Sequence, residues 1–219
     1  MKATLAVLVK DIRCELRTRH ALGAVLLFAV TSTVAASFTL TAWGGKSAVA
    51  SALLWLVVYF SAMSGLSRSF VREEETGTAA LLKLAAPPNG VFLGKLVFTL
   101  ATLVAIEIIT VPLFVALMGC AVAWWGLLIC LLLVGSVGLS AGATVAAAMV
   151  AKAATKGALY AVISFPLLVP VLGIAIHGTD LALAGRDAAM VAGDIRLLVY
   201  YAGAVITGSL MLFRFIWED

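Results

Sequence analysis

Residues 96–118 read LVFTLATLVAIEIITVPLFVALM, twenty-three positions with one ionisable side chain, Glu107. A run of roughly 20 apolar residues is long enough to cross a bilayer as an α-helix. Five further stretches have the same character: Ala21–Ala42, Ala48–Leu66, Ala121–Val150, Ala158–Ile176 and Leu197–Trp217. Of 219 residues 63% are hydrophobic and 12% charged, and mean hydropathy is +1.15. Soluble domains carry about 45–50% apolar and about 25% charged residues. These proportions exclude a soluble fold, a disordered chain and a disulfide scaffold. They predict an all-α polytopic membrane protein with six transmembrane helices over residues 21–219. The nineteen glycines suit such a bundle, because small residues let membrane helices approach closely.

The net charge of +4 does not point to nucleic acid, because the basic residues flank the apolar runs, where they set topology. Six spans put both termini on one side. Twelve basic residues fall there: Lys2, Lys10, Arg13, Arg17 and Arg19; Arg68, Arg72, Lys83 and Lys95; Lys152, Lys156 and Arg214. Only Lys46, Arg186 and Arg196 fall on the other. The positive-inside rule then makes both termini cytoplasmic. Of the three cysteines, Cys14 lies in the charged N-terminal segment, and Cys120 and Cys130 are about 15 Å apart along a helix, too far for a disulfide.

Residues 1–20 form their own unit. Leu5, Leu8, Val9, Ile12 and Leu16 share one face at helical spacing, with Lys10, Arg13 and Arg17 on the other side. Asp11 and Glu15 support the helix at i, i+4. The pattern predicts an amphipathic helix in the cytoplasmic interface of the lipid bilayer, its basic face near anionic headgroups. An ordinary helix against a soluble partner is the alternative.

The loop over residues 67–95 differs from everything else in the chain. From Gly65 it reads GLSRSFVREEETGTAALLKLAAPPNGVFLGK, with the charge run Arg72-Glu73-Glu74-Glu75, then Thr76-Gly77-Thr78 and an apolar helix-like stretch, Ala79–Ala86. Pro87 and Pro88 end that stretch, since proline lacks a donor and restricts the residue before it. Gly90 is expected to supply a turn, and Gly94-Lys95 to open the third span. Such a loop is either a solvated connector or a docking element for a groove on a soluble partner.

Phe70, Glu73, Gly77, Thr78, Leu81, Leu82, Pro87, Leu93, Gly94 and Lys95 together form a pattern that resembles the cytochrome c maturation protein B family. The length, the span count and the N-terminal helix agree with it over the whole chain. Thr76 departs from it where many members have an acid before the glycine, and Glu73 stands where Asp is commoner. The resemblance implies an ABC-2-type exporter permease fold in the cytoplasmic (inner) membrane, serving cytochrome c maturation by haem export or ATP-driven release of a haem-loaded chaperone. An exporter permease of the same fold with another hydrophobic cargo is the alternative. The chain has no G-x-x-x-x-G-K-[ST], so ATP enters only through a partner. The implied partners are a cytoplasmic ABC ATPase subunit, a second copy of this chain, and a haem-handling membrane subunit and haem chaperone on the outer side. Haem enters as cargo, and no bound cofactor or metal and no catalytic residue is expected. Within the loop, Phe70–Ala86 is expected to form the coupling helix. Glu73 begins it or pairs with a base on the ATPase, Gly77 allows close approach of the ATPase, and Leu81, Leu82 and Leu84 supply apolar contacts.

Several other residues admit two readings. Glu107 is part of a substrate or proton path, or a buried polar contact to Ser or Thr on a neighbouring span. Gly138-Leu139-Ser140-Ala141-Gly142 matches the nucleophile-elbow pattern, but no strand precedes it and no base is near. Gly138, Gly142 and Ala146 read better as a packing seam. Pro166 and Pro170 make a hinge or a static kink. His177 opens an outer loop that runs to Arg196, and is a haem-iron ligand or a polar span end. Trp124-Trp125 reads as an interfacial anchor.

Overall fold

The computed structural model describes residues 2–18, 20–42, 47–66, 68–119, 121–151 and 156–218. Arg19, Lys46, Ser67, Cys120 and Lys152 from the sequence reading lie outside them. Among the described residues every regular element is helical: α1 (Lys2–Thr18), α2 (His20–Ala42), α3 (Ser47–Leu66), α4 (Arg68–Glu75), α5 (Ala79–Ala85), α6 (Pro88–Met118), α7 (Trp125–Val150), α8 (Lys156–Ala184) and α9 (Ala188–Glu218). By length and composition, four helical stretches are long and apolar enough to cross a membrane: 88–118, 125–150, 162–184 and 188–217. Residues 23–38 of α2 and 47–63 of α3 are shorter apolar helices.

Helix α7 is the most enclosed of the four and packs against α6, α8 and α9. Its glycines explain how. A Cβ on Gly135 would lie 2.3 Å from the Trp55 ring, one on Gly142 2.5 Å from Leu168, and one on Gly138 3.1 Å from Val171. Together with the buried Ala143, Ala146 and Ala147, they let bulky side chains of α3 and α8 seat directly on the α7 backbone. Ser140 sits in mid-helix with its hydroxyl donating to the Val137 carbonyl, 3.0 Å away, so the packing-seam reading fits this segment and the strand-turn-helix of a nucleophile elbow is absent from it.

Three sequence-based boundaries change. Helix α7 starts at Trp125 rather than Ala121, and Trp124 and Trp125 are exposed. The outer loop expected from His177 to Arg196 is mostly helix: α8 continues to Ala184 and α9 starts at Ala188, joined around Gly185 at φ +66°. The polar residues there find partners and do not end the helix. The Trp55 Nε1–H donates to Thr179 Oγ1 at 2.9 Å and Ser47 Oγ donates to Asp180 Oδ1 at 2.5 Å, while Leu181, Leu183 and Val191 join the core around Leu131 and Leu198. Gly90 makes no turn. It lies in the first turn of α6, after Pro88 at the helix start, and faces Ala3 of α1.

Helix α8 runs unbroken through Pro166 and Pro170, both on its exposed side. Beside the gap left by the missing Pro170 N–H, the Tyr201 hydroxyl donates to the Leu167 carbonyl at 2.6 Å.

Candidate functional site

The loop after α3 forms two short helices of different character. In α4, Phe70 and Glu73 stand one turn apart on the buried side, 1% and 7% exposed. Phe70 enters an aromatic cluster with Phe213 (ring centroids 5.6 Å) and Trp217 (5.9 Å) of α9, and Phe92 of α6 closes on Phe213 at 5.2 Å. Pairs at these separations add about 0.5–1.5 kcal/mol each beyond their area burial.

Glu73 meets Lys95, whose side chain is only 1% exposed in the second turn of α6. The Lys95 ammonium lies 3.2 Å from Glu73 Oε1, 3.3 Å from Asp11 Oδ2 of α1, and 4.9 Å from the Phe70 ring centroid. Lys10 pairs with Asp11 at 3.1 Å and also with Glu73. Two cations and two carboxylates thus balance in a partly dry pocket, tying α1, α4 and α6 together. Burial alone would raise the Glu73 pKa. The Lys95 charge and the hydrogen bonds from Lys10 and Thr78 outweigh it and hold the carboxyl at about 2. For Lys10, burial pulls downward, but Glu73 and Asp11 leave its pKa raised.

The Thr78 hydroxyl donates to Glu73 Oε2 at 2.7 Å. Its amide reaches the Glu73 carbonyl at 2.9 Å and the Gly77 amide reaches the Glu74 carbonyl at 3.2 Å. This 6→1 and 5→2 pair is a Schellman cap, and Gly77 supplies the left-handed residue it requires, at φ +67°. The cap splits the predicted coupling helix in two. Glu73 therefore lies near the end of α4 instead of beginning a helix. A Cβ on Gly77 would meet nothing within 4 Å; in this chain the glycine serves the turn.

In α5, Leu82 is buried, whereas Leu81 and Leu84 are 67% and 87% exposed. They project one turn apart from the same side as exposed Ala80 and Ala85. Lys83 reaches back over the Trp217 ring, 5.7 Å from its centroid.

The sequence does not reveal that Lys10, Asp11 and Lys95 meet at Glu73: Asp11 reads as a helix-supporting acid, Lys10 as a charge facing the headgroups and Lys95 as a topology charge at the start of a span. A signal was present: Gly90 and Gly94 are four apart on α6. A Cβ on Gly94 would lie 2.8 Å from the Val7 Cβ, so the glycines make the groove in which α1 lies. Val7 and Asp11, four apart, are the face of α1 that enters it. The apolar face read from the sequence is the outward one, with Leu5, Val9 and Leu16 exposed.

Glu107 of α6 is buried 12 positions after Lys95, well inside the apolar run, and accepts from Ser136 Oγ of α7 at 2.5 Å. This is the buried polar contact to a neighbouring span. No group of three or more His, Cys, Asp or Glu among the described residues is placed to hold a metal ion.

Long apolar helices around a glycine-lined centre, with an ion-paired loop at one end, define a multi-pass α-helical membrane protein. Residues 2–217, nearly the whole chain, match the family model described as CcmB protein, and the chain belongs to the CcmB family. It is accordingly a membrane transport protein of cytochrome c biogenesis. No curated protein matches the sequence.

Proposed function

We propose that this chain is the six-span permease subunit, of ABC-2-type exporter fold, of an ABC transporter for cytochrome c maturation, with α2 and α3 as its first two spans. Both termini and the loop face the cytoplasm, and a separate ATPase subunit docks on the loop. The observation that carries the reading is the contrast within the loop: Leu81 and Leu84 are exposed on a short helix, while Phe70, Glu73 and Lys95 fix the neighbouring helix to the bundle. Apolar side chains on a rigid mount suit a groove on a soluble partner. Glu73 and Phe70 then act in coupling as the transmission into α6, and Leu81 and Leu84 as the contact. Thr78 caps the junction and Leu82 anchors α5.

A second copy of the chain would present two such loops to two ATPase subunits. A haem-handling membrane subunit and a haem chaperone occupy the outer side, and haem is the cargo of the assembly. The outward apolar face of α1 lies in the bilayer interface, with Arg13 and Arg17 near anionic headgroups.

The test is co-purification of the ATPase with Leu81→Glu/Leu84→Glu in the full chain. ATPase association and cytochrome c maturation should both be lost while the membrane protein is made in normal amount. Full retention of both would make the loop a connector. Sidedness is tested with single cysteines at Asn89 and Arg186, both exposed, in a background without the native cysteines. An impermeant reagent added outside should label position 186 only.

A further inference from the structure

The geometry points to His177 as an axial ligand for the iron of a porphyrin, held in place by Asp194, at the end of the bundle remote from the ion cluster. His177 of α8 is on the exposed side, its side chain 62% exposed. Its Nδ1 lies 2.8 Å from Asp194 Oδ2 of α9, whose side chain is 13% exposed. A carboxylate only accepts, so Nδ1 carries the hydrogen. The lone pair then resides on Nε2, away from Asp194. This arrangement, an imidazole fixed in rotation and tautomer by a carboxylate, is the one metal-ligating histidines use.

The pair is built into the packing. Gly178 follows His177, and a Cβ there would lie 3.2 Å from both the Cβ and Oδ2 of Asp194 and 2.8 Å from Leu131. The missing side chain lets α9 bring Asp194 to the histidine. One turn before His177, Gly173 has open space around it. With exposed Pro170 and Leu197 it leaves an unshielded apolar surface beside the ring.

The ligand class follows from the count of donors. A bare divalent ion needs three or four protein ligands, and among the described residues no group of three exists. Iron in a porphyrin brings four donors with it, so one imidazole is enough, and the flat macrocycle matches an open apolar surface. This inference rests on the reading of the chain as part of a haem-handling assembly, but its test is separate from the docking test.

The experiment is a titration of the purified full chain in nanodiscs with ferric haemin, followed by the Soret and visible bands. Metal-free protoporphyrin and Ni²⁺ serve as controls. The wild type should give a histidine-ligated spectrum, and His177→Ala should lose it while still taking up metal-free protoporphyrin. Asp194→Asn should weaken haemin binding by about tenfold, within the range seen when the orienting partner of a metal-bound histidine is removed. Ligation that persists unchanged in His177→Ala overturns the assignment, as does a response to Ni²⁺ with none to haemin. If haemin fails to ligate while the loop variants still abolish ATPase association, this inference falls and the permease reading stands.

Discussion

The two helices of the loop invert what their sequences advertise. Helix α4 carries the charge run, and charge runs usually lie in solvent, yet its Glu73 is buried and salt-bridged. Helix α5 is the apolar one, yet Leu84 is among the most exposed large side chains in the molecule. The difference comes from what each helix faces. Helix α4 lies against α7 and meets α6 at Lys95, which is already committed to the interior and needs carboxylates. Past the Gly77 cap the chain turns away, and α5 buries only Ala79 and Leu82 against the bundle. On the proposed function, contact with a partner falls to the leucines and stability to the acids.

The largest effect should come from unbalancing the ion cluster. Lys95→Met leaves Asp11 and Glu73 with Lys10 alone, and removing one partner of a buried pair costs about 3–5 kcal/mol. The variant should lose a corresponding part of its unfolding free energy in detergent. Adding Glu73→Gln should restore some of it, because the orphaned charge is gone. A Lys95→Met protein as stable as wild type would remove the distinction between the two helices. By the same logic Glu73→Arg is a poor probe of docking. It sets a third cation beside Lys10 and Lys95 and disturbs the mount as well as the contact.

Leu84→Glu is the cleaner probe and comes next in size. The side chain is 87% exposed, so intrinsic stability should stay within about 0.5 kcal/mol. Burying a leucine at an interface is worth about 1.5–3 kcal/mol, so ATPase affinity measured on the reconstituted complex should fall at least about tenfold. A loss of stability with unchanged affinity would reverse the assignment of roles between α4 and α5.

How much of this was legible in the sequence depends on what each residue answers to. The long apolar helices follow from composition alone, because a bilayer imposes length and polarity on every span regardless of its neighbours. The Gly138–Gly142 seam was legible for a similar reason: close helix approach requires small residues at fixed spacing. The partners of Glu73 were not, because Lys10, Glu73 and Lys95 are far apart in the chain and meet only through tertiary packing. The helical stretch after His177 was misread since Thr179 and Asp180 resemble a loop until Trp55 and Ser47 are known to receive them. For α1 the periodicity was right, but the side that meets the protein is the small, narrow one around Val7, which a hydrophobic count overlooks.

Gly77 separates turn chemistry from partner contact. Gly77→Ala places a Cβ in open space but at φ +67°, where L-residues are disfavoured, so it should cost about 1–2 kcal/mol. Gly77→Leu should cost the isolated protein the same. If the ATPase surface lies close to the cap, leucine but not alanine should further weaken ATPase binding. Equal effects would confine Gly77 to the turn.

The last effect is one of pH, and it isolates Glu73 from the leucines altogether. Its carboxyl is held at about 2 against an ordinary 4.5, so above pH 4.5 the folded and unfolded chains both carry it ionised and its stabilisation is fully present. As pH falls from 4.5 toward 2 the unfolded chain takes up the proton first, and the contribution drains away. Lys10, with its pKa raised, contributes at every pH below its ordinary 10.5 and loses that contribution only on the alkaline side. Across pH 5–9 the stability gap between wild type and Glu73→Gln should therefore be flat, and it should narrow below about pH 4.5. Leu84→Glu should track the wild type through the alkaline and neutral range, because its site carries none of the cluster's charge. A gap that changes near pH 7 would mean that Glu73 is not held by Lys95 and Lys10, and the buried mount beneath α5 would have to be assigned to the aromatic cluster alone.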